Sequence, residues 1–137
     1  MATLTYVKFQ PFVEAIAEKK HNLATDQLVV ALTNSAPSAA NSVLADITQI
    51  SYTNCSTRNI TTTSSSQTAG TYSLVLVDLT LTATGTVGPF RYIVIYNDTA
   101  TNDDLIGYYD IGSNITLSSG ETYLLDFSEA QTLLTIA

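Results

Sequence analysis

The stretch Tyr72-Ser-Leu-Val-Leu-Val-Asp-Leu-Thr-Leu-Thr-Ala-Thr84 constrains the fold more than any other. Read with a period of two, Val75, Val77, Leu79, Leu81 and Ala83 fall on one face, and Asp78, Thr80, Thr82 and Thr84 on the other. A long β-strand with one dry and one wet side has this pattern, because successive side chains of a strand point to opposite faces. Gly85-Thr-Val-Gly-Pro-Phe90 follows, then Arg91-Tyr-Ile-Val-Ile-Tyr96. The connection is short enough for an antiparallel hairpin between the two runs. The second run is apolar on both faces, which places it inside a sheet rather than at its edge.

The rest of the chain reads as more short strands. Leu4 to Phe9 alternates and is either a strand or an extended arm. Pro11 stands where a helix can begin, and Phe12, Val13, Ala15, Ile16 and Ala17 carry the one helical period, running to about Lys20. Glu14 near its start and Lys19, Lys20 and His21 at its end suit the helix dipole. Gln27 to Thr33 is a near-continuous apolar run and reads as a buried strand. Residues 34–42 form a loop, Val43 to Ile50 is ambiguous between a helical turn and a short strand, and a strand is expected around Arg58 to Thr62.

Residues 61–70 are polar and low in complexity; a hairpin loop with a short strand running into it fits better than a linker. After the central hairpin, 97–104 has turn chemistry, Leu105 to Asp110 a strand, Gly112-Ser-Asn114 a turn and Ile115 to Leu117 a short strand. Thr122 to Phe127 and Leu133 to Ala137 complete the set. The expected fold is mainly β, an antiparallel β-sandwich of jelly-roll or Ig-like type with one short N-terminal helix. At 137 residues it is one domain, 1–137, with 1–10 and 133–137 as terminal arms.

Composition narrows the function. Charged residues are 12% of the chain, about half the usual share, and Thr and Ser supply the wet strand faces instead. A net charge of −7 with five scattered basic residues argues against a nucleic-acid footprint. The single Cys55 has no partner for an internal disulfide, so the fold is expected to stand on packing after synthesis in a reducing cytoplasm. The first ten residues show no basic region followed by an apolar run, so no secretory leader is expected, and no apolar stretch reaches membrane-spanning length.

Candidate chemistry is sparse. His21 is the only histidine, hence the only base for a Ser-His-acid arrangement, and its place at the expected helix end gives it an ordinary surface role instead. Asp98, Asp103 and Asp104 with Asn97 and Asn102 offer hard oxygen ligands in one loop, but the spacing fits no EF-hand and Asx-rich loops are commonly turns. Glu14 and Glu18 share a helix face, where a solvated pair is the ordinary reading. Tyr92, Tyr96, Tyr108, Tyr109 and Tyr123 suit a core or an interface, or a sugar platform without Trp. The sequons at Asn54, Asn59, Asn97 and Asn114 are chance matches in a Thr-rich chain. No cofactor and no metal is expected.

Several phrases carry a resemblance. Ala31-Leu-Thr-Asn-Ser-Ala-Pro37, Leu44-Ala-Asp-Ile-Thr-Gln-Ile50 and Ser56-Thr-Arg-Asn-Ile-Thr61 are three of them. Leu81-Thr-Ala-Thr-Gly-Thr-Val-Gly-Pro-Phe-Arg-Tyr92, Tyr96-Asn-Asp-Thr99 and Leu105-Ile-Gly-Tyr108 follow in order. In texture and phrase order, over nearly the whole chain, the sequence resembles small virion proteins of tailed bacteriophages, and most of all capsid decoration or cement proteins. The resemblance implies a non-enzymatic β-sandwich that bridges capsid subunits. Its partners would be the major capsid protein or other virion proteins, and it would be a homo-oligomer with a trimer favoured. It would reside in the virion after synthesis in the host cytoplasm, with no nucleic acid or membrane bound. A tail or head–tail component, or a carbohydrate- or receptor-binding module, is the alternative. The expected interface lies on the two arms and beside the helix start: Leu4, Tyr6, Phe9, Phe12, Leu133, Leu134 and Ile136.

Overall fold

The computed structural model describes residues 5–127 and 134–136, the last three as backbone alone. The chain is mainly β and antiparallel, with one short helix, and its sheets do not close into a barrel. The strands are Thr5–Lys8 (β1), Leu28–Thr33 (β2), Asn59–Ile60 (β3), Thr62–Thr68 (β4) and Thr71–Leu76 (β5). They continue with Leu79–Thr82 (β6), Val87–Asn97 (β7), Leu105–Leu117 (β8), Thr122–Leu125 (β9) and Leu134–Ile136 (β10). The helix α1 spans Pro11–Ala17, starting at its proline and ending short of the expected Lys20; of its apolar period it buries Phe12 and Ala15 and leaves Val13 exposed.

Five strands form the principal sheet in the order β1-β8-β7-β2-β3. Its middle strands are covered on both sides, as their two-faced apolar runs require. All six residues of β2 are buried, as are Ile93 to Asn97 of β7. Leu28, Val30, Leu32, Ile93 and Ile95 enter one apolar cluster, while Val29, Ala31, Val94 and Tyr96 enter a second with Phe9, Ile47 and Leu105. The first cluster also takes Leu74 and Leu76 of β5, Leu81 of β6 and Leu125 of β9. Those strands belong to a three-stranded sheet, β10-β5-β4, and a two-stranded sheet, β6-β9. Each fully buried aliphatic side chain contributes roughly 1.5–3 kcal/mol.

The long alternating stretch is not one strand. It divides at Val77 and Asp78, both exposed, into β5 and β6, which lie in different sheets. Burial falls on Leu74 and Leu76 before the break and on Leu81 and Ala83 after it, so the inward face changes parity across two residues. Val77 N–H donates to Thr61 C=O at 2.9 Å and the Asp78 carboxylate accepts from Phe127 N–H at 2.9 Å, which fixes the break. The expected hairpin with Arg91 to Tyr96 is absent in consequence. β5 pairs with β4, β6 with β9, and β7 with β2 and β8.

Two further expectations change. Gly112-Ser-Asn114 does not end a strand: β8 continues through it, and the β7–β8 register slips there because Tyr92 faces Asp110 while Phe90 faces Ile115. Gly112 at φ 95° and a bidentate Arg91–Asp110 pair (2.8 and 3.2 Å) hold that bulge. Most of 61–70 is strand β4, closed by Ala69 and Gly70 at φ 52° and 85°, the positive values a tight two-residue hairpin turn requires. Residues 44–46 make a single 3-10 turn.

Candidate functional site

β2 has outward-facing backbone groups that its two-residue partner β3 does not reach. Residues from 50–58 reach them instead. Val30 N–H donates to Arg58 C=O at 3.0 Å, and the Arg58 guanidinium returns a bond to Val30 C=O at 2.6 Å. Leu32 N–H donates to Tyr52 Oη at 2.8 Å, while Leu32 C=O accepts from Ile50 N–H at 3.0 Å. The Arg58 guanidinium carbon lies over the Tyr52 ring, 3.6 Å from its centroid. A guanidinium stacks well there because it is planar and weakly hydrated. This edge is sealed half by backbone and half by side-chain groups of residues 50–58.

The opposite edge is β1. Its register, Thr5↔Asp110 to Lys8↔Gly107, continues into a bond from Phe9 N–H to Ile106 C=O. In an antiparallel ladder alternate residues face the partner, so Thr5, Val7 and Phe9 turn toward β8 while Tyr6 and Lys8 turn away. Among the described residues the Tyr6 and Lys8 backbone groups meet no backbone partner. The Tyr6 ring lies across Gly107, where a Cβ would collide with it, and packs 5.1 Å from Tyr109. Its hydroxyl is buried without a partner among the described residues. Burial, with Tyr109 beside it, pushes that hydroxyl's pKa well above the ordinary tyrosine value. Burial and Asp126 push Tyr109 up to about 12.

Those expected interface residues that the structure describes lie in different elements. Leu4 and Leu133 lie outside the described residues. Tyr6 sits on the open edge. Phe9 is fully buried and packs 5.2 Å from Tyr108, and Phe12 is buried in the first cluster against His21. Both belong to this chain's own core: with no polar atoms, they follow the apolar surface that β7 and β8 offer. Leu134 and Ile136 lie in β10, opposite Leu74 and Tyr72.

His21 is not a surface residue. It is buried where residues 18–27 meet the loop after β7. Asn97 organises the junction: its amide nitrogen donates to His21 Nδ1 at 2.9 Å and to Asp26 Oδ2 at 2.7 Å. Its amide oxygen accepts from Thr99 N–H and Ala100 N–H at 2.9 and 3.2 Å. Those two acceptances fix which end of the amide is nitrogen, so Nδ1 must accept and the ring's proton sits on Nε2. Burial holds His21 below its ordinary pKa, outweighing the upward pull of Asp104 and Asp26, with Lys20 also pulling down. Nε2 is buried and has no partner among the described residues. So arranged, the imidazole has no lone pair open to a substrate's proton.

In the acidic loop, Asp104 is buried. Burial, then Asp98 and Asp104, raise the Asp103 pKa. Among the described residues no group of three or more His, Cys, Asp or Glu is gathered to hold a metal ion, and no helix is long and apolar enough to cross a membrane. Cys55 is half-buried, with its thiol pushed up by burial. Sequence reasoning missed Arg58 and Tyr52, and placed Asn97 among the oxygen ligands of an acidic loop rather than against His21. Asn97 was legible as a turn residue, but its partner His21 is 76 positions away. No family model, no curated protein and no solved structure matches the chain.

Proposed function

We propose that the chain is a structural protein of a tailed-phage virion, a decoration or cement protein that stabilises the head by bridging capsid subunits. The observation that carries this reading is the contrast between a sealed sheet edge and one on the N-terminal strand that is open among the described residues. An open edge is a template for strand addition, and a protein that assembles on a lattice gains from keeping one and sealing the other. The virion-protein resemblance supplies the partner, the major capsid protein or another virion protein. The protein acts without enzymatic chemistry, as a homo-oligomer with a trimer favoured, and resides in the virion. The finer fold reading is an antiparallel sandwich of jelly-roll or Ig-like type, supported by the single apolar cluster that joins β2 and β7 to β5, β6 and β9. The test is sedimentation of the purified chain with phage heads stripped of decoration protein. Saturable pelleting, lost when the β1 edge is blocked by Lys8→Pro, is expected. A chain that stays in the supernatant with heads of its own phage contradicts the proposal.

A second reading, a carbohydrate- or receptor-binding tail module, is favoured by a polar cleft of about 490 Å³ between residues 19–26 and 99–104. Asn22, Asp26, Asn102 and Asp104 among its walls have the amide and carboxylate chemistry that holds sugar hydroxyls. A glycan array on which the chain gives no signal removes this reading.

A further inference from the structure

The polar cleft between residues 19–26 and 99–104 has a buried carboxylate in its wall. Asp104 is only 7% exposed. Its backbone C=O accepts from Asn97 N–H at 2.9 Å, but among the described residues its carboxylate accepts no hydrogen bond and forms no ion pair. Nor is that carboxylate sealed in. The buried side-chain atoms without a partner are Tyr6 Oη and His21 Nε2, and neither Asp104 oxygen is among them, so a solute atom can reach it from the cleft. Asp26 lines the same cleft. Its Oδ2 is taken by Asn22 N–H at 2.8 Å and by the Asn97 amide at 2.7 Å, while Oδ1 accepts from no described residue. Asp104 and Asp26 both raise the His21 pKa against the pull of burial, which puts the two carboxylates close to one ring. Lys19 and Lys20 also line the cleft, yet among the described residues neither ammonium pairs with either carboxylate; Lys20 lies 3.6 Å from Glu18, both side chains about half exposed. Two negative charges so placed, one of them buried, lack a counter-charge, and burial makes that unfavourable until a cation is supplied.

We infer that this cleft binds an amino sugar, its ammonium against the Asp104 and Asp26 carboxylates and its hydroxyls against Asn22, Thr99, Thr101 and Asn102. The inference rests on the carbohydrate-binding reading above and narrows it. The group at Asp104 must donate, because an ionised carboxylate only accepts. A charged donor suits it best, because hydrogen bonds between opposite charges are the strong ones. The body is hydroxylated rather than aliphatic: the amides and threonine hydroxyls of the cleft both donate and accept, as sugar hydroxyls do. A volume of about 490 Å³ lies within the range of ligand pockets and suits a monosaccharide.

The test titrates glucosamine, its amine protonated, into the intact chain and follows the backbone amide signals. Those of Asp26, Asn102 and Asp104 should shift saturably at millimolar concentration. Glucose and N-acetylglucosamine, which keep the hydroxyls without the charge, should bind about tenfold more weakly at the same ionic strength. Cyclohexylamine, an ammonium on an apolar ring, should also bind about tenfold more weakly. Asp104→Asn should bring glucosamine down to the level of the neutral sugars and leave those unchanged. Asn102→Trp, at an exposed loop position, should fill the cleft and abolish the shifts while the remaining amide spectrum keeps its native pattern. A neutral sugar that binds the cleft as tightly as glucosamine overturns the inference and leaves the carbohydrate reading standing. No response to any of the three sugars overturns both. Cyclohexylamine binding as tightly as glucosamine overturns the hydroxylated body, and binding that survives Asn102→Trp places the sugar elsewhere and overturns the site. The comparison of charged and neutral sugars needs no variant, so it decides even where Asp104→Asn fails to fold.

Discussion

One edge of the principal sheet is closed by backbone and side-chain groups of residues 50–58, and the other, among the described residues, keeps backbone groups that meet no backbone partner. At β2, Arg58, Tyr52 and the Ile50 N–H satisfy the groups that two-residue β3 does not reach. At β1, Tyr6 and Lys8 turn their N–H and C=O groups outward. Both edges belong to one sheet with the same core behind it, so the difference does not come from burial. It comes from what the neighbouring chain brings. The loop before β3 carries a long cation and an aromatic hydroxyl, both able to imitate a strand. An edge sealed in this way has no free ladder for another chain, whereas the β1 edge keeps one.

The comparison can be broken most forcefully at Phe9, which anchors the end of β1. Phe9→Ala should lower the stability of the isolated chain by about 3–5 kcal/mol, as emptying a fully buried aromatic site does. A urea midpoint close to wild type would instead return Phe9 to an interface role. At the sealed edge, Arg58→Ala should cost about 2–3 kcal/mol, because it removes a charged bond to Val30 and the stacking on Tyr52. It should also promote self-association, visible in light scattering, as the β2 edge opens.

A third prediction concerns the His21 junction. Its folded-state pKa lies below the unfolded value near 6.5, so the unfolded chain takes up the proton first. Stability should be complete above about pH 6.5, fall as the pH drops from there toward the folded value, and level off below it. Protonation puts a hydrogen on Nδ1 against the Asn97 amide, which can only donate there. Urea midpoints compared across that window should show the fall in wild type and a flatter profile in His21→Gln.

The smallest effect is expected at the open edge. Lys8→Pro removes an N–H that has no backbone partner in the described chain, so the stability of the monomer should change by no more than about 0.5 kcal/mol. Any oligomer built on this edge should fall to monomer mass. A large loss of stability would show that the Lys8 N–H was bonded after all.

How far the sequence reaches can be judged on these same residues. β2 and β7 were legible as strands covered on both faces, because an apolar run with no polar side has few other places to go. The helix was legible from Pro11 and its period. The break at Val77 and Asp78 was not: alternation continues smoothly through it, and only the tertiary bonds to Thr61 and Phe127 change the parity. The sealed edge was hidden for a related reason. Arg58 and Tyr52 are ordinary residues of a polar stretch until folding brings Val30 and Leu32 beside them. His21 looked like a helix-end residue because the chain next to it is polar; its burial depends on Asn97 and Phe12, neither adjacent in sequence.

The most direct measurement is native-state hydrogen exchange at four backbone amides of the isolated chain. The account predicts that Val30 and Leu32 exchange slowly, near the limit set by global unfolding, although both lie on the outer side of β2. It predicts that Tyr6 and Lys8 exchange orders of magnitude faster, near the rate of unprotected amides. Equal protection at all four would contradict the account, because it would mean that the β1 edge is as closed as its opposite.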